Sequence, residues 1–324
     1  MTVTIYKSTD GSAPTLSGTA GDLVNVLDKV LVTGYGAQTA AGWTKPFTGT
    51  NGASFLQGTG SNGYYLNVND NAPGTGGARE ARVVGYESMT AFATGLSLFP
   101  TAAQSATGLF ARKSTSLDAV TRPWIIAADQ RTFYMFVLTG DAASTYYAWS
   151  FGEYYSVHTS PAADSGRTYL MARNLEAIGA AAANEALDLW FGSVGSSVFT
   201  AVGKTLARGF SQGPGAITNT SVGVVGDATT GTNGGGVDFP NTVDGRIYIS
   251  PLRILEADAT VTTNAIIRGH HRGLWFWSHS AASASDADTF TGAGDLAGKS
   301  FLVIKSSARG NLYIIETSDT WDTN

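Results

Sequence analysis

Cysteine is absent from all 324 residues, which excludes disulfides, thiolate catalysis, zinc ribbons and iron–sulfur ligation together. Packing and backbone pairing must hold the fold. Charge is scarce as well: Asp, Glu, Lys and Arg make up 14% of the chain, against about 25% in an ordinary domain. Twenty bases and 25 acids leave a net charge of −5, so the composition offers neither a basic stripe for nucleic acid nor a polybasic segment for a membrane surface. No run approaches the ~18 apolar residues of a membrane helix, and residues 1–10 lack the basic-then-apolar pattern of a secretory leader. The expectation is a product that starts in a cytoplasm, with neither nucleic acid nor membrane as partner.

Glycine and aromatic residues are plentiful: 40 glycines, 7 tryptophans, 13 tyrosines and 15 phenylalanines. That much apolar area offsets chain entropy, so the chain folds. One segment has helical period. Leu23, Val26, Leu27, Val30 and Leu31 recur on one face within residues 19–34, with Asp22 at the start, Lys29 toward the end and Gly34 as a left-handed stop. Residues 1–18 precede it, either as an arm for a neighbouring subunit or as a simple edge strand.

From residue 42 onward the pattern changes to short β-branched and aromatic runs separated by Gly, Asn, Asp or Pro, at 53–57, 64–68, 78–86, 108–112, 124–128, 132–138 and 146–151. Residues 128–131 suit a hairpin turn. Residues 173–190 suit either a helix or an Ala-rich loop, and 209–242 a Gly-rich loop. Further strands fall at 245–255, where Pro251 implies an edge or a bulge, and at 272–278, 300–305 and 311–316. The expected fold is mainly β, an antiparallel β-sandwich or jelly-roll-like core with one N-terminal helix and a small C-terminal β unit. Its parts are an arm and helix at 1–34, a β-rich core at 35–255 and a C-terminal unit at 256–324.

Motif matches fail on context. Residues 58–63 spell G-x-G-x-x-G, but a strand follows where a dinucleotide site needs a helix, so a hairpin loop is the better reading. Residues 209–213 spell G-x-S-x-G around Ser211, and Pro214-Gly215 denies the helix of a nucleophile elbow. Residues 293–300 fall one glycine short of a P-loop and precede a strand, which leaves Lys299 facing solvent. Of the four histidines, His158, His270, His271 and His279, the adjacent pair would point to opposite faces of a strand and could not easily share an ion. Asp70 lies in an oxygen-rich stretch without the glycine and glutamate of an EF-hand, so a turn is preferred to a calcium site. Glu80, Glu87, Asp129, Glu153 and Asp164 are acids near aromatic residues, from which a glycosidase pair could be drawn. Chance proximity explains them equally well. The clusters Tyr146/Tyr147/Trp149, Tyr154/Tyr155 and Trp275/Phe276/Trp277 could stack on sugars, although alternating burial in a β core accounts for most of them. Trp275, Trp277, Tyr146 and Trp149 are the candidate glycan-binding residues. No catalytic residue, cofactor or metal ligand is assigned.

Several stretches together carry a resemblance: Gly11 to Asp28, Gly42 to Phe47, Gly76 to Arg82 with Gly85-Tyr86, Arg122 to Ile126, Arg272 to Trp275, Asp288 to Phe301 and Ile315 to Ser318. In these the chain resembles, essentially end to end, a family of uncharacterised tailed-bacteriophage structural proteins. The resemblance implies a place in the virion, at the tail or baseplate, the neck or the capsid surface, and brings no catalytic residue to transfer. It also implies homo-oligomers in contact with other virion proteins, for which 1–18 and 209–242 are the candidate contact segments. The second reading is a host-surface glycan-binding adhesin, such as a tail fibre or spike module. An enzyme such as a depolymerase ranks last.

Overall fold

The computed structural model describes residues 2–70, 77–140, 146–160, 164–173, 203–210, 213–223, 240–257, 265–279, 284–305, 312–318 and 320–321. The expected segment 173–190 therefore lies almost wholly outside the described residues, and residues 224–239 of the expected loop 209–242 lie wholly outside them. Within them the chain is mainly β, with 18 strands in one hydrogen-bonded sheet. Every strand pairing is antiparallel.

The helix forms where its period placed it. α1 (Asp22–Leu27) continues as a π-helical turn over Asp28–Thr33, and Leu23, Val26, Leu27, Val30 and Leu31 are all buried. Gly34 ends it at φ 77°. The chain then doubles back, and the amides of Ala41 and Trp43 satisfy the carbonyls of Val30 and Leu31 at 2.9 Å each. Residues 1–18 are not a free arm. β1 (Thr4–Lys7) is an edge strand on β8 (Trp124–Ala128), and Tyr6 and Leu16 have no exposed surface.

The remaining strands are β2 (Thr44–Gly49), β3 (Gly52–Leu56), β4 (Tyr65–Asn69), β5 (Glu80–Ala91), β6 (Thr94–Phe99), β7 (Leu109–Arg112), β9 (Thr132–Leu138), β10 (Tyr146–Ser156), β11 (Thr168–Arg173), β12 (Gly203–Arg208), β13 (Ile217–Gly223), β14 (Ile249–Ala257), β15 (Ala265–Trp277), β16 (Thr289–Thr291), β17 (Ser300–Lys305) and β18 (Leu312–Glu316). Pairing runs from β1 through β8, β9, β10, β11, β7, β5, β4 and β3 to β2. This broad sheet folds over itself. Trp43 packs on Phe133 at 5.8 Å and on Phe151 at 6.0 Å, and Phe99 stacks on Phe151 at 6.1 Å. The amide of Gly58 reaches the carbonyl of Gln130 at 2.7 Å, tying the β3–β4 loop to the β8–β9 turn.

A second closure was not legible beforehand. β10 pairs with β11, β11 with β12, β12 with β13, β13 with β14, β14 with β15, and β15 returns to β10. These six strands form a closed circuit with no free edge. Between β14 and β15 the register jumps: Pro251 faces Trp275, whereas Arg253 faces His270. Two residues of β14 are thus spanned by five of β15. Pro251 marks a bulge, as expected, and lies outside the β13–β14 ladder, which spans Arg253 to Glu256. The extra length turns His271, Arg272 and Leu274 inward, where all are buried.

The expected division at 255/256 cuts through β14, and Leu252 and Ile254 on that strand belong to the main core. Leu274, Leu302, Ile304, Tyr313, Ile315 and Trp321 join the same core. The 256–324 stretch is therefore an added layer of one sheet. Its own small cluster, Trp277, Phe301, Val303 and Ile314, lies on the opposite face beneath Phe290 and Leu296.

Trp321 closes the interior. Its ring sits 5.4 Å from Tyr134 and 6.0 Å from the Arg272 guanidinium, and its indole N–H donates to the Glu316 carbonyl at 2.9 Å. Gly273 makes room: its φ is +64°, and a Cβ there would lie 2.0 Å from Trp321 Nε1. Trp321→Ala should cost about 3–5 kcal/mol by cavity formation, read by chemical denaturation. A loss below about 1 kcal/mol would contradict the packing described.

Candidate functional site

An enclosed polar cluster joins the β8–β9 turn to the β15 bulge. Arg272 Nη2 lies 2.7 Å from Asp129 Oδ2, and Nη1 donates to Asp129 Oδ1 at 3.1 Å and Thr132 Oγ1 at 3.2 Å. The carboxylate also accepts the amides of Arg131 at 2.8 Å and Thr132 at 2.9 Å, while the Asp129 carbonyl accepts Trp43 Nε1–H at 2.8 Å. Residues 128–131 do form the expected turn, and Asp129 shapes it as an Asx-type acceptor. Tyr134 donates to the Arg272 carbonyl at 2.8 Å.

The other acids singled out from the sequence repeat this arrangement. Glu80 pairs with Arg173 at 3.2 Å, Glu153 with Arg167 at 3.1 Å, and Glu87 takes Arg208 Nε at 2.9 Å as well as its Nη2. Glu256, which the sequence did not single out, holds Arg268 in the same way. Asp164 accepts the Ser156 hydroxyl and the Gly166 amide. Carboxylate lone pairs engaged by a guanidinium and enclosed by the fold are not presented to a sugar, so these residues read as cross-links between strands.

Asp70 is likewise structural. It lies 2.7 Å from Lys113 with both side chains fully enclosed, and it accepts the Leu23 amide at 2.8 Å, capping α1 from across the fold. Burial outweighs the lysine and pushes the Asp70 carboxyl up to about 6. It offers no open calcium loop. The four histidines do not converge. His158 is exposed in a turn, His270 faces outward against Tyr155 at 4.9 Å, and His279 accepts the Tyr248 amide at 2.6 Å. His271 is enclosed, with Tyr169 at 4.7 Å and Tyr134 at 6.0 Å. Among the described residues, no group of three or more His, Asp or Glu is arranged to hold a metal ion.

Three of the four candidate glycan-binding rings lack an accessible face. Trp149 is fully enclosed, 5.0 Å from Phe133; Tyr146 is buried with its hydroxyl on Asp286 at 3.0 Å; Trp277 is buried 5.8 Å from Phe290. Stacking needs an open ring face, so these three are corrected to core residues. Trp275 differs, being half-buried on the outer face of β15 opposite Pro251. Beside it on that face stand His270, Arg253 and, across the β10 seam, Tyr155. Arg253 was not found from the sequence, because the strand alternation identifies its face only once the bulge register is known.

The near-motifs resolve as turns. Residues 57–64 link β3 to β4 as the hairpin expected, clamped by the Asn62 amide on Glu153 Oε1. Gly209 donates to Ala216 at 2.9 Å in the turn from β12 to β13; Ser211 lies outside the described residues. Lys299 does not face open solvent but pairs with Glu316 at 2.7 Å on β18.

Two outcomes follow from these enclosed charges. Asp129→Ala strands the Arg272 guanidinium and should cost about 3–5 kcal/mol in equilibrium unfolding. Burial pushes the His271 imidazole from 6.5 down to about 3. In that window the unfolded chain binds a proton that the folded chain refuses, so stability present above pH 6.5 is lost as pH falls, by up to about 1.4 kcal/mol per pH unit. His271→Phe should flatten the fall in unfolding free energy between neutral pH and about pH 4.5; an unchanged slope would rule this out. Compared with protein-family models and with curated proteins, the chain matches none.

Proposed function

We propose that this chain is a structural component of a tailed-bacteriophage virion, working through contacts with copies of itself and with other virion proteins rather than by catalysis. The observation that carries the reading is the loop Pro240 to Tyr248. It is braced from within: Asp244 accepts the Arg246 amide at 3.0 Å, Asn241 Nδ2 at 2.8 Å and the Tyr248 hydroxyl, and Gly245 donates to the Asn241 carbonyl at 2.7 Å. From this frame Val243 projects with 90% of its surface exposed, and Ile247 and Tyr248 are also open. A preorganised apolar projection favours docking to another protein, since little ordering entropy remains to be lost on contact. The loop begins within the stretch 209–242 that the sequence marked for contacts. Residues carrying the family resemblance support the same reading, since Arg272, Gly273 and Trp43 serve as joints of the fold. Tail, baseplate, neck and capsid surface remain alternative places within this proposal.

The second reading, a host-surface glycan-binding module, has one observation in its favour: Trp275 is only half-buried, on the face that also carries Arg253, His270 and Tyr155.

Native mass spectrometry of the purified chain should show a symmetric oligomer, and Val243→Asp should shift it toward monomer without lowering the melting temperature. A monomeric parent, together with absence of the chain from purified particles by peptide mass spectrometry, would overturn the assembly role.

A further inference from the structure

We propose that the outer face of β14 and β15 around Arg253 binds the carboxylate of an acidic sugar unit, such as a hexuronate. This rests on the second reading above and names its ligand class. Along β14, Leu252, Ile254 and Glu256 are buried, whereas Pro251, Arg253 and Leu255 are half-buried and point the other way. Their register partners on β15 are Trp275, His270 and Ile267, and Tyr155 on β10 faces His270. Tyr155, His270 and Arg253 thus form one row across three strands, and Trp275 stands opposite Pro251, the residue two before Arg253 on β14.

Among the described residues, Arg253 has no carboxylate partner. Arg122, Arg167, Arg173, Arg208, Arg268 and Arg272 each make an ion pair with a carboxylate. Arg253 Nε is enclosed and has no acceptor, and the Trp275 indole N–H beside it is in the same condition. An enclosed donor without an acceptor is destabilising, so an incoming acceptor gains more here than at a solvated arginine. Guanidinium geometry favours a planar group with two oxygens. Trp275 rests on Phe301 at 6.3 Å and Tyr155 carries the Arg272 guanidinium at 5.8 Å, and the half-buried remainder of each ring favours a ligand with a C–H face. Burial and the Arg253 charge hold the His270 imidazole below its usual pKa, leaving it neutral at pH 7 with one donor and one acceptor nitrogen for hydroxyls. A uronate combines all three features; a neutral sugar lacks the charge, and a bare anion lacks the face.

The test titrates the full-length chain with glucuronate, glucose and acetate, following tryptophan fluorescence and ligand-observed NMR. Saturable glucuronate binding is expected, at least about tenfold tighter than glucose or acetate. Arg253→Gln should weaken it by about tenfold or more with an unchanged melting temperature, and Arg253→Lys should fall between. If Arg253→Gln disturbs folding, the lysine variant carries the comparison. Equal binding of glucose and glucuronate, unaffected by Arg253, would overturn the acidic ligand while keeping the glycan reading. Acetate binding as tight as glucuronate would overturn the sugar. No binding of any of the three would overturn the site.

Discussion

The clasp between Asp129 and Arg272 is the interaction on which the rest of the molecule depends. It fastens the turn of β8 and β9 to the bulge of β15, and each of its neighbours belongs to a different part of the chain. Trp43 arrives from the segment after the helix, Thr132 from β9 and Trp321 from beyond β18. A guanidinium and a carboxylate removed from water gain stability only when their remaining hydrogen-bonding positions are filled. Here the carboxylate also accepts the Arg131 and Thr132 amides, and Arg272 Nη1 also donates to the Thr132 hydroxyl. The pair therefore specifies a relative placement of distant strands more than it adds net stability, because any other register would leave a buried charge unmatched.

The same logic runs through the interior and explains the unusual composition. Few charges are present, yet Glu80, Glu87, Glu153 and Glu256 are each committed to an arginine between strands. Charge has been withdrawn from the surface and used as connectors. The exterior is left to Ser, Thr, Asn and Gly, with apolar projections such as Val243 standing out against a weak long-range field. Such a surface recognises by shape and local chemistry, since it has little to steer a partner from a distance.

Much of the fold was legible because the relevant signals are local. The apolar face from Leu23 to Leu31 spells a helix, and runs such as Trp124 to Ala128 spell strands bounded by turn residues. β2, β6 and β16 were missed as exposed or half-exposed strands, and β11, β12 and β13 were missed as well, β13 lying within the stretch 209–242 that was expected to be a loop. The closed circuit was missed because it depends on pairings between residues as far apart as Tyr154 and His271. The site fared similarly. Trp275 could be named from composition, but its separation from Trp149 depends on which face each strand turns inward, its difference from Trp277 depends on how far Phe290 covers each ring, and Arg253 acquires meaning only through the register jump opposite Pro251. The acids near aromatic rings could not be told from a catalytic pair until their arginine partners were placed.

The distance along the chain between the two halves of the clasp has a further consequence during biosynthesis. Asp129 leaves the ribosome 143 residues before Arg272, an interval of roughly 7–30 s at ordinary elongation rates of about 5–20 residues per second. Throughout that interval the β8–β9 hairpin carries an acid meant for the interior but still hydrated, beside strands whose apolar faces have no cover. The nascent first half thus exposes apolar surface and unpaired strand edges until Arg272 arrives, the condition under which incomplete β chains associate with one another.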